Sequence, residues 1–386
     1  MAASRLYLDN NATTPLRLSV RAAMLAAFDL VGNASSIHSE GRAARALIEE
    51  ARRNVAALTG AKAKNVIFTS GGTEAANLAL TPHVHVADER RPFARLLVSA
   101  TEHPCVLSGY RFASDQVTLL PVTSSGVIDL HALDHALAAG ERCTVAVQAA
   151  NNETGVLQPI RAIADKVHAR GSVLICDAVQ AAGKVRLDMD ELGADMLLLS
   201  AHKFGGPKGA GALVLGSDRL HIADPLLKGG GQERGFRAGT ENVAAIAGFG
   251  QAAQDATGWA VEAACLKDLR DGLEVAVRHG APDMVVFGRD ADRLPNTLNF
   301  AVPGVPAETL LMALDLDGIA ASSGSACSSG KLKSSHVLAA MQVPAELASG
   351  AIRLSLGWAS TWQDVEEFEN RFAGVAGKLR KVKSAA

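Results

Sequence analysis

The sequence predicts an α/β fold, a mostly parallel seven-stranded sheet covered by helices in a large domain, followed by a smaller α+β domain. Between about residues 66 and 215, seven short apolar runs rich in β-branched residues alternate with helix-like stretches. Helical crossovers between consecutive strands make neighbouring strands parallel. Beyond about residue 255 the texture changes to a long amphipathic helix, a few short strands and a closing helix. Finally, 386 residues of which 48% are apolar and 20% charged supply material for more than one core.

In order, the runs are VIFT at 66–69, RLLVS at 95–99, VTLLPV at 117–122, TVAVQ at 144–148, SVLIC at 172–176, MLLLS at 196–200 and GALVLG at 211–216. The smaller unit offers the helix pattern VEAACLKDLRDGLEVAVRHG at 261–280, then strands near MVVFG, TLNFAV and IRLSLG. The expected boundaries are 16–254 for the large domain and 255–386, together with the N-terminal segment 1–15, for the small one.

In a parallel sheet, ligands collect beyond the carboxyl ends of the strands, where the connecting loops gather. The polar residues that follow each run are therefore the candidates. After VIFT, Ser70-Gly71-Gly72-Thr73-Glu74 reads either as a glycine turn whose helix N–H groups cradle a phosphate or as a tight turn capped by Ser70 or Thr73. After LLVSA comes His103, an imidazole able to stack on a flat ligand or exchange protons. Asn152 follows TVAVQ, and Asp177 and Gln180 follow VLIC. A carboxylate directly after a buried run calls for a cationic partner. After MLLLS comes Lys203, whose amine burial would hold neutral and nucleophilic. Each feature alone is weak. Five strand ends that together supply a phosphate cradle, an imidazole, an amide, a carboxylate and an amine are not.

Other classes fall away. With 38 Lys and Arg against 40 Asp and Glu, no strong field recruits nucleic acid or anionic membrane. The opening MAASRLYLDNNATTP has no apolar h-region and no run of roughly 18 apolar residues occurs, so a cytoplasmic location is expected. Five scattered cysteines suit neither a disulfide framework nor a zinc site, and His131 and His135 lack the glutamate of HExxH. No dinucleotide or P-loop fingerprint follows a strand. Cys143, Cys176 and Cys265 read as packing residues, Cys105 stays unassigned, and Cys327 stands in a run of small residues too polar to bury a thiol.

The motifs YLDNNATTP, GNASSIH, TSGGTEAAN, TEHP, NNETG, DAVQ, SAHKFGGPKG, RAGTEN, SSGSACSSG and IRLSLG occur in that order along nearly the whole chain. In them the chain resembles the cysteine desulfurases of the NifS/IscS type, in the class V aminotransferase group of fold-type I pyridoxal-phosphate enzymes. The resemblance implies pyridoxal 5'-phosphate carried on Lys203, Asp177 paired with the ring nitrogen, His103 over the ring, and Asn152 and Gln180 on its hydroxyl side. It implies Gly72, Thr73, Ser200 and His202 around the phosphate, with Thr240 reaching the phosphate of a partner subunit in a homodimer. Arg353 would hold the substrate carboxylate, and Asn11 either lines the same pocket or caps a loop. Lys203, His103 and Cys327 are the implied catalytic residues. The implied reaction turns L-cysteine into L-alanine and leaves the sulfur on Cys327 as a persulfide for an iron–sulfur scaffold or other acceptor protein. Cys327 is further implied to ligate a [2Fe–2S] cluster transiently. An aminotransferase or a selenocysteine lyase on the same scaffold is the competing expectation. Ala34 and Ala76 depart from the family pattern without touching this chemistry.

Overall fold

The computed structural model describes residues 5–323 and 334–384, with side chains as far as Lys378. Seven strands form the main sheet, in the spatial order Val66–Thr69, Gly211–Leu215, Met196–Ser200, Val173–Asp177, Cys143–Gln148, Arg95–Ser99 and Val117–Leu120. Every pairing is parallel except the two made by Gly211–Leu215, which runs against its neighbours Val66–Thr69 and Met196–Ser200. Six strands therefore share one carboxyl edge.

Helices cover both faces. Alternate residues of each strand divide between two cores: Leu97, Val145, Val147, Leu174, Leu197 and Leu199 pack with the helices Ser39–Thr59, Ile160–His168 and Val243–Ala256. Leu96, Val98, Ala146, Ile175, Met196 and Leu198 pack on the other side with the helix Gly72–Ala79. This explains why the runs read as continuously apolar rather than alternating: a sheet covered on both faces buries every position.

A separate core gathers Leu6 and Leu8 with residues between Leu266 and Ala376. Its frame is a three-stranded antiparallel sheet of Val285–Val286, Thr297–Ala301 and Ala351–Ser355. The helices Trp259–Gly280 and Trp362–Ser384 lie against each other beside it. The strand Leu6–Tyr7 pairs in parallel with Ile319–Ala320, and the chain then crosses to the main sheet, where the Thr14 N–H donates to the His202 carbonyl at 2.9 Å. That crossing brings residues 9–12 over the carboxyl edge. Cys265 corrects the packing expectation: it is exposed on Trp259–Gly280, whereas Cys143 and Cys176 are buried. Among the described residues no helix is long and apolar enough to cross a membrane.

Candidate active site

At the shared carboxyl edge lies a cavity of about 430 Å³, lined by Asn11, Gly72, Thr73, His103, Asn152, Asp177, Gln180, Ser200, His202, Lys203 and Arg353. These candidates come from seven separate segments of the chain, and the strand ends bring them together. Ala12, Cys105, Gln148, Ala150, Val179 and Ser322 complete the wall. Thr240 is elsewhere, in a second pocket with Ser70, Arg237 and Glu241. Cys327 lies outside the described residues, and Ser322, which lines the cavity, precedes it in the same small-residue run.

The helix Gly72–Ala79 starts at the cavity, with Gly71 as its N-cap and no side chain capping it. The turn capped by Ser70 or Thr73 is thus not what forms. Instead the Ser70 N–H donates to Glu74 Oε2 at 2.8 Å, and Glu74 Oε1 accepts from Arg237 Nε at 3.0 Å. The first helical N–H groups stay free for an anion. A side chain at Gly72 would sit 3.0 Å from Val179 Cγ2, so glycine keeps the cradle open.

Lys203 follows the strand Met196–Ser200, and its Nζ donates to the carbonyls of Asn11 and Ala12 at 2.7 and 2.9 Å. Burial first, then the Arg353 charge, bring its amine down to about 8, with Asp177 and Asp9 opposing. Asp177 ends its strand with Oδ1 accepting from the Val179 N–H at 2.9 Å. Burial pushes it up to about 6, against the pull of that N–H and of Lys203.

His103 is the N-cap of the short helix Pro104–Leu107, and its Nδ1 accepts from the Cys105 N–H at 3.1 Å. Burial, Lys203 and His336 lower the ring to about 4. A neutral imidazole whose Nδ1 accepts carries its proton on Nε2, so the cap selects the tautomer.

Arg353 is buried in the strand Ala351–Ser355, but its fork is partly taken. Nη2 pairs with Asp9 Oδ1 at 2.6 Å and Nη1 donates to the Asn152 carbonyl at 2.9 Å, while Nε is buried without a hydrogen-bond partner among the described residues. The sequence reading missed Asp9, although it stands in YLDNNATTP two residues before Asn11. A bound carboxylate would have to share Arg353 with it. Of the two readings of Asn11, the residue lines the pocket with Arg353, but its side chain is held by neighbouring groups. Its amide is tied to Thr297 Oγ1, the Asn152 carbonyl and Asn296 Nδ2, and only its main-chain carbonyl meets Lys203.

Two buried groups also escaped the sequence reading. Glu102, one residue before His103, is fully buried; Oε1 accepts from the Gln148 N–H and Oε2 has no hydrogen-bond partner among the described residues. Burial and the Asp177 carboxylate hold it well above the usual carboxylate range. Lys184 is the other. Cys105 lines the cavity, and burial, with Asp177 and Glu102, pushes its thiol up to about 12, which argues against a nucleophile there.

The aminotransferase class-V family profile matches residues 6–368. The chain belongs to the class-V aminotransferase family. Within it the chain groups with the cysteine desulfurases of the NifS/IscS type. It is 40% identical over 382 residues to the cysteine desulfurase IscS of Dictyoglomus turgidum, covering 97% of this chain and 95% of that protein. It is 42% identical over 383 residues to a cysteine desulfurase of Sinorhizobium fredii, covering 97% of each. Among solved structures it is similar to the NifS-like protein of Rickettsia africae, with a TM-score of 0.86, 33% identity, and 96% and 99% of the two chains covered. These matches run across both cores, so the family fold accounts for the second sheet as well as the first.

Proposed function

We propose that this chain is a pyridoxal-phosphate-dependent cysteine desulfurase that converts L-cysteine to L-alanine and passes the sulfur, as a persulfide on Cys327, to an acceptor protein in iron–sulfur cluster assembly. The observation that carries it is the convergence, in one cavity, of an uncapped helix start, a buried carboxyl, a neutral imidazole and a near-neutral amine.

The residues fit that cofactor. Gly72 and Thr73, at the free helix start, suit its phosphate, with Ser200 and His202 beside them. Asp177 is costly to ionise without a cationic partner, and a protonated ring nitrogen is such a partner. When bound, pyridoxal phosphate supplies an electron sink that weakens the bonds of the substrate carbons. Lys203 then takes and returns the proton at the substrate Cα, a task suited to an amine held at about 8. His103, with its proton on Nε2 and its ring neutral, serves as a donor toward the substrate. Arg353 orients the substrate carboxylate while Asp9 limits its free charge. The Cys327 thiolate attacks the substrate sulfur; the S–S bond forms as the C–S bond breaks, and the carbon skeleton leaves as alanine once it has gained its protons.

Thr240 lies outside the cavity of its own chain, and a homodimer in which it serves the partner's phosphate gives it a role. The same reading takes 16–254 and 255–386 with 1–15 as the two domains, and keeps the transient cluster ligand on Cys327.

The test is direct. The yellow protein is incubated with L-cysteine, alanine is quantified, and Cys327 is examined by mass for one added sulfur. Alanine release at the normal rate from a Cys327→Ser variant, with sulfide as co-product, would overturn the scheme.

A further inference from the structure

We propose that Lys184, which the catalytic scheme does not use, is a positioning residue: it fixes the carboxamide of Gln180 and, through the Asn11 carbonyl, the setting of the Lys203 amine. The inference deepens the cofactor reading above and rests on it for its meaning, though not for its test.

The local sequence turns the side chain inward. Gly183 adopts φ 71°, in the left-handed region, and a side chain there would come within 3.0 Å of Phe204 Cβ. Lys184 follows it and is only 5% exposed. Its Nζ donates to the Gln180 main-chain carbonyl at 3.0 Å and to Gln180 Oε1 at 3.1 Å. Gln180 Nε2 in turn donates to the Asn11 carbonyl at 3.0 Å, the same oxygen that accepts from Lys203 Nζ at 2.7 Å.

An amide side chain can usually be placed either way round. Here it cannot. The Asn11 peptide carbonyl only accepts, so Nε2 must face Asn11, and Oε1 is left to accept from the Lys184 amine. The amide group of a cavity-lining residue is thereby presented as a donor. Packing alone would be served at lower cost by an apolar side chain, because a buried amine must be hydrogen-bonded to be tolerated. Both acceptors that Lys184 finds belong to Gln180.

The two lysines also border a common space. Lys184 and Lys203 line one small void of about 10 Å³, with Arg17 and Glu262 on its wall. The charged and titratable groups around Lys184 are Lys203 and His202 after Met196–Ser200, Arg353 from Ala351–Ser355, and Glu262 from Trp259–Gly280. Glu262 is shared with Arg17, at 2.8 Å. Burial first, then the Lys203 and Arg353 charges, bring the Lys184 amine down to about 7, below that of Lys203. Lys184 therefore acts on Lys203 through hydrogen bonds and not through charge: Gln180 Nε2, held in place by Lys184, shares the Asn11 carbonyl that would otherwise serve the Lys203 ammonium with no competing amide. Around Lys203 itself stand Arg353, Asp177, Asp9, Cys105, His103 and His202.

Two profiles test this. The first is the pH dependence of acetylation at Lys203, read by mass in the chain freed of cofactor. The second is the pH dependence of the absorption of the pyridoxal-phosphate-loaded chain. Lys184→Met is expected to raise the labelling midpoint of Lys203 by about half a pH unit or more and to shift the absorption titration. Lys184→Gln, which can still donate to Gln180 Oε1, should restore both profiles toward those of the unsubstituted chain. Profiles identical to the unsubstituted chain in both variants, with only a lower melting temperature, would overturn the proposal and leave Lys184 a packing residue. If Lys184→Met does not fold, the same two readings on Lys184→Ala decide it. Should the unsubstituted chain take up no pyridoxal phosphate, the cofactor reading fails, and the labelling arm still decides the inference.

Discussion

At the end of the strand Val173–Asp177, fold and chemistry pull on one carboxyl in opposite directions. Burial pushes Asp177 up to about 6 from the ordinary 3.8. The folded chain thus holds this proton more tightly than the unfolded chain, and its stability falls as pH rises through the window from 3.8 to 6. Above that window the buried charge costs roughly 1–3 kcal/mol. Asp177→Asn should therefore stabilise the cofactor-free chain by about that amount at pH 8 and by almost nothing below pH 4, as denaturant titrations at the two pH values would show. The same variant should bind pyridoxal phosphate more weakly, because the carboxylate is what a ring N–H⁺ would need. Asp177, Lys203 and His103 were legible in the sequence because each directly follows an apolar run. Asp9 and Lys184 were not. Neither ends a strand of the main sheet, and each gains its meaning from a contact made more than a hundred residues away: Asp9 pairs with Arg353, and Lys184 holds Gln180, whose amide reaches Asn11.

The helix Gly72–Ala79 illustrates the scale of a single element. Two glycines before its first turn look like a loss of helix propensity, and what they provide is room: the nearest atoms to a Gly72 side chain would be Val179 Cγ2 at 3.0 Å and Ser200 Cβ at 3.5 Å. Gly72→Ala gains a few tenths of a kcal/mol of propensity but crowds the cradle. The melting temperature of the cofactor-free chain is expected to change little, while affinity for pyridoxal phosphate, measured by equilibrium dialysis, drops on the order of tenfold. The seven strands were readable as apolar runs, and their lengths agree with the structure to within about two residues. Their order was not, because a run carries no mark of which neighbour it will pair with. The reversed direction of Gly211–Leu215 was equally hidden: it follows from a connection that turns back after Lys203 with Gly205-Gly206-Pro207, without a crossover helix.

For the whole molecule, the placement of Thr240 outside its own chain's cavity makes the proposed homodimer testable through mixed assemblies. A Lys203→Ala chain lacks the amine, and a Thr240→Val chain lacks the hydroxyl offered to its neighbour. If the two are co-folded, one site of each mixed dimer is complete. Alanine formation and cofactor retention should then exceed those of either parent alone. Mixtures no better than the sum of their parents would assign Thr240 to its own chain or to no site.

By itself the sequence determined the class of sheet, its carboxyl-edge chemistry and the family to which the chain belongs, since apolar periodicity and short motifs are local properties that survive without coordinates. Only the tertiary structure decided that Arg353 is already engaged by Asp9, that a hydrogen bond to a helix cap selects the tautomer of His103, and that Lys184 stands behind Lys203. Those facts depend on burial and on which groups meet across the fold, and both arise only when distant segments share one low-dielectric interior.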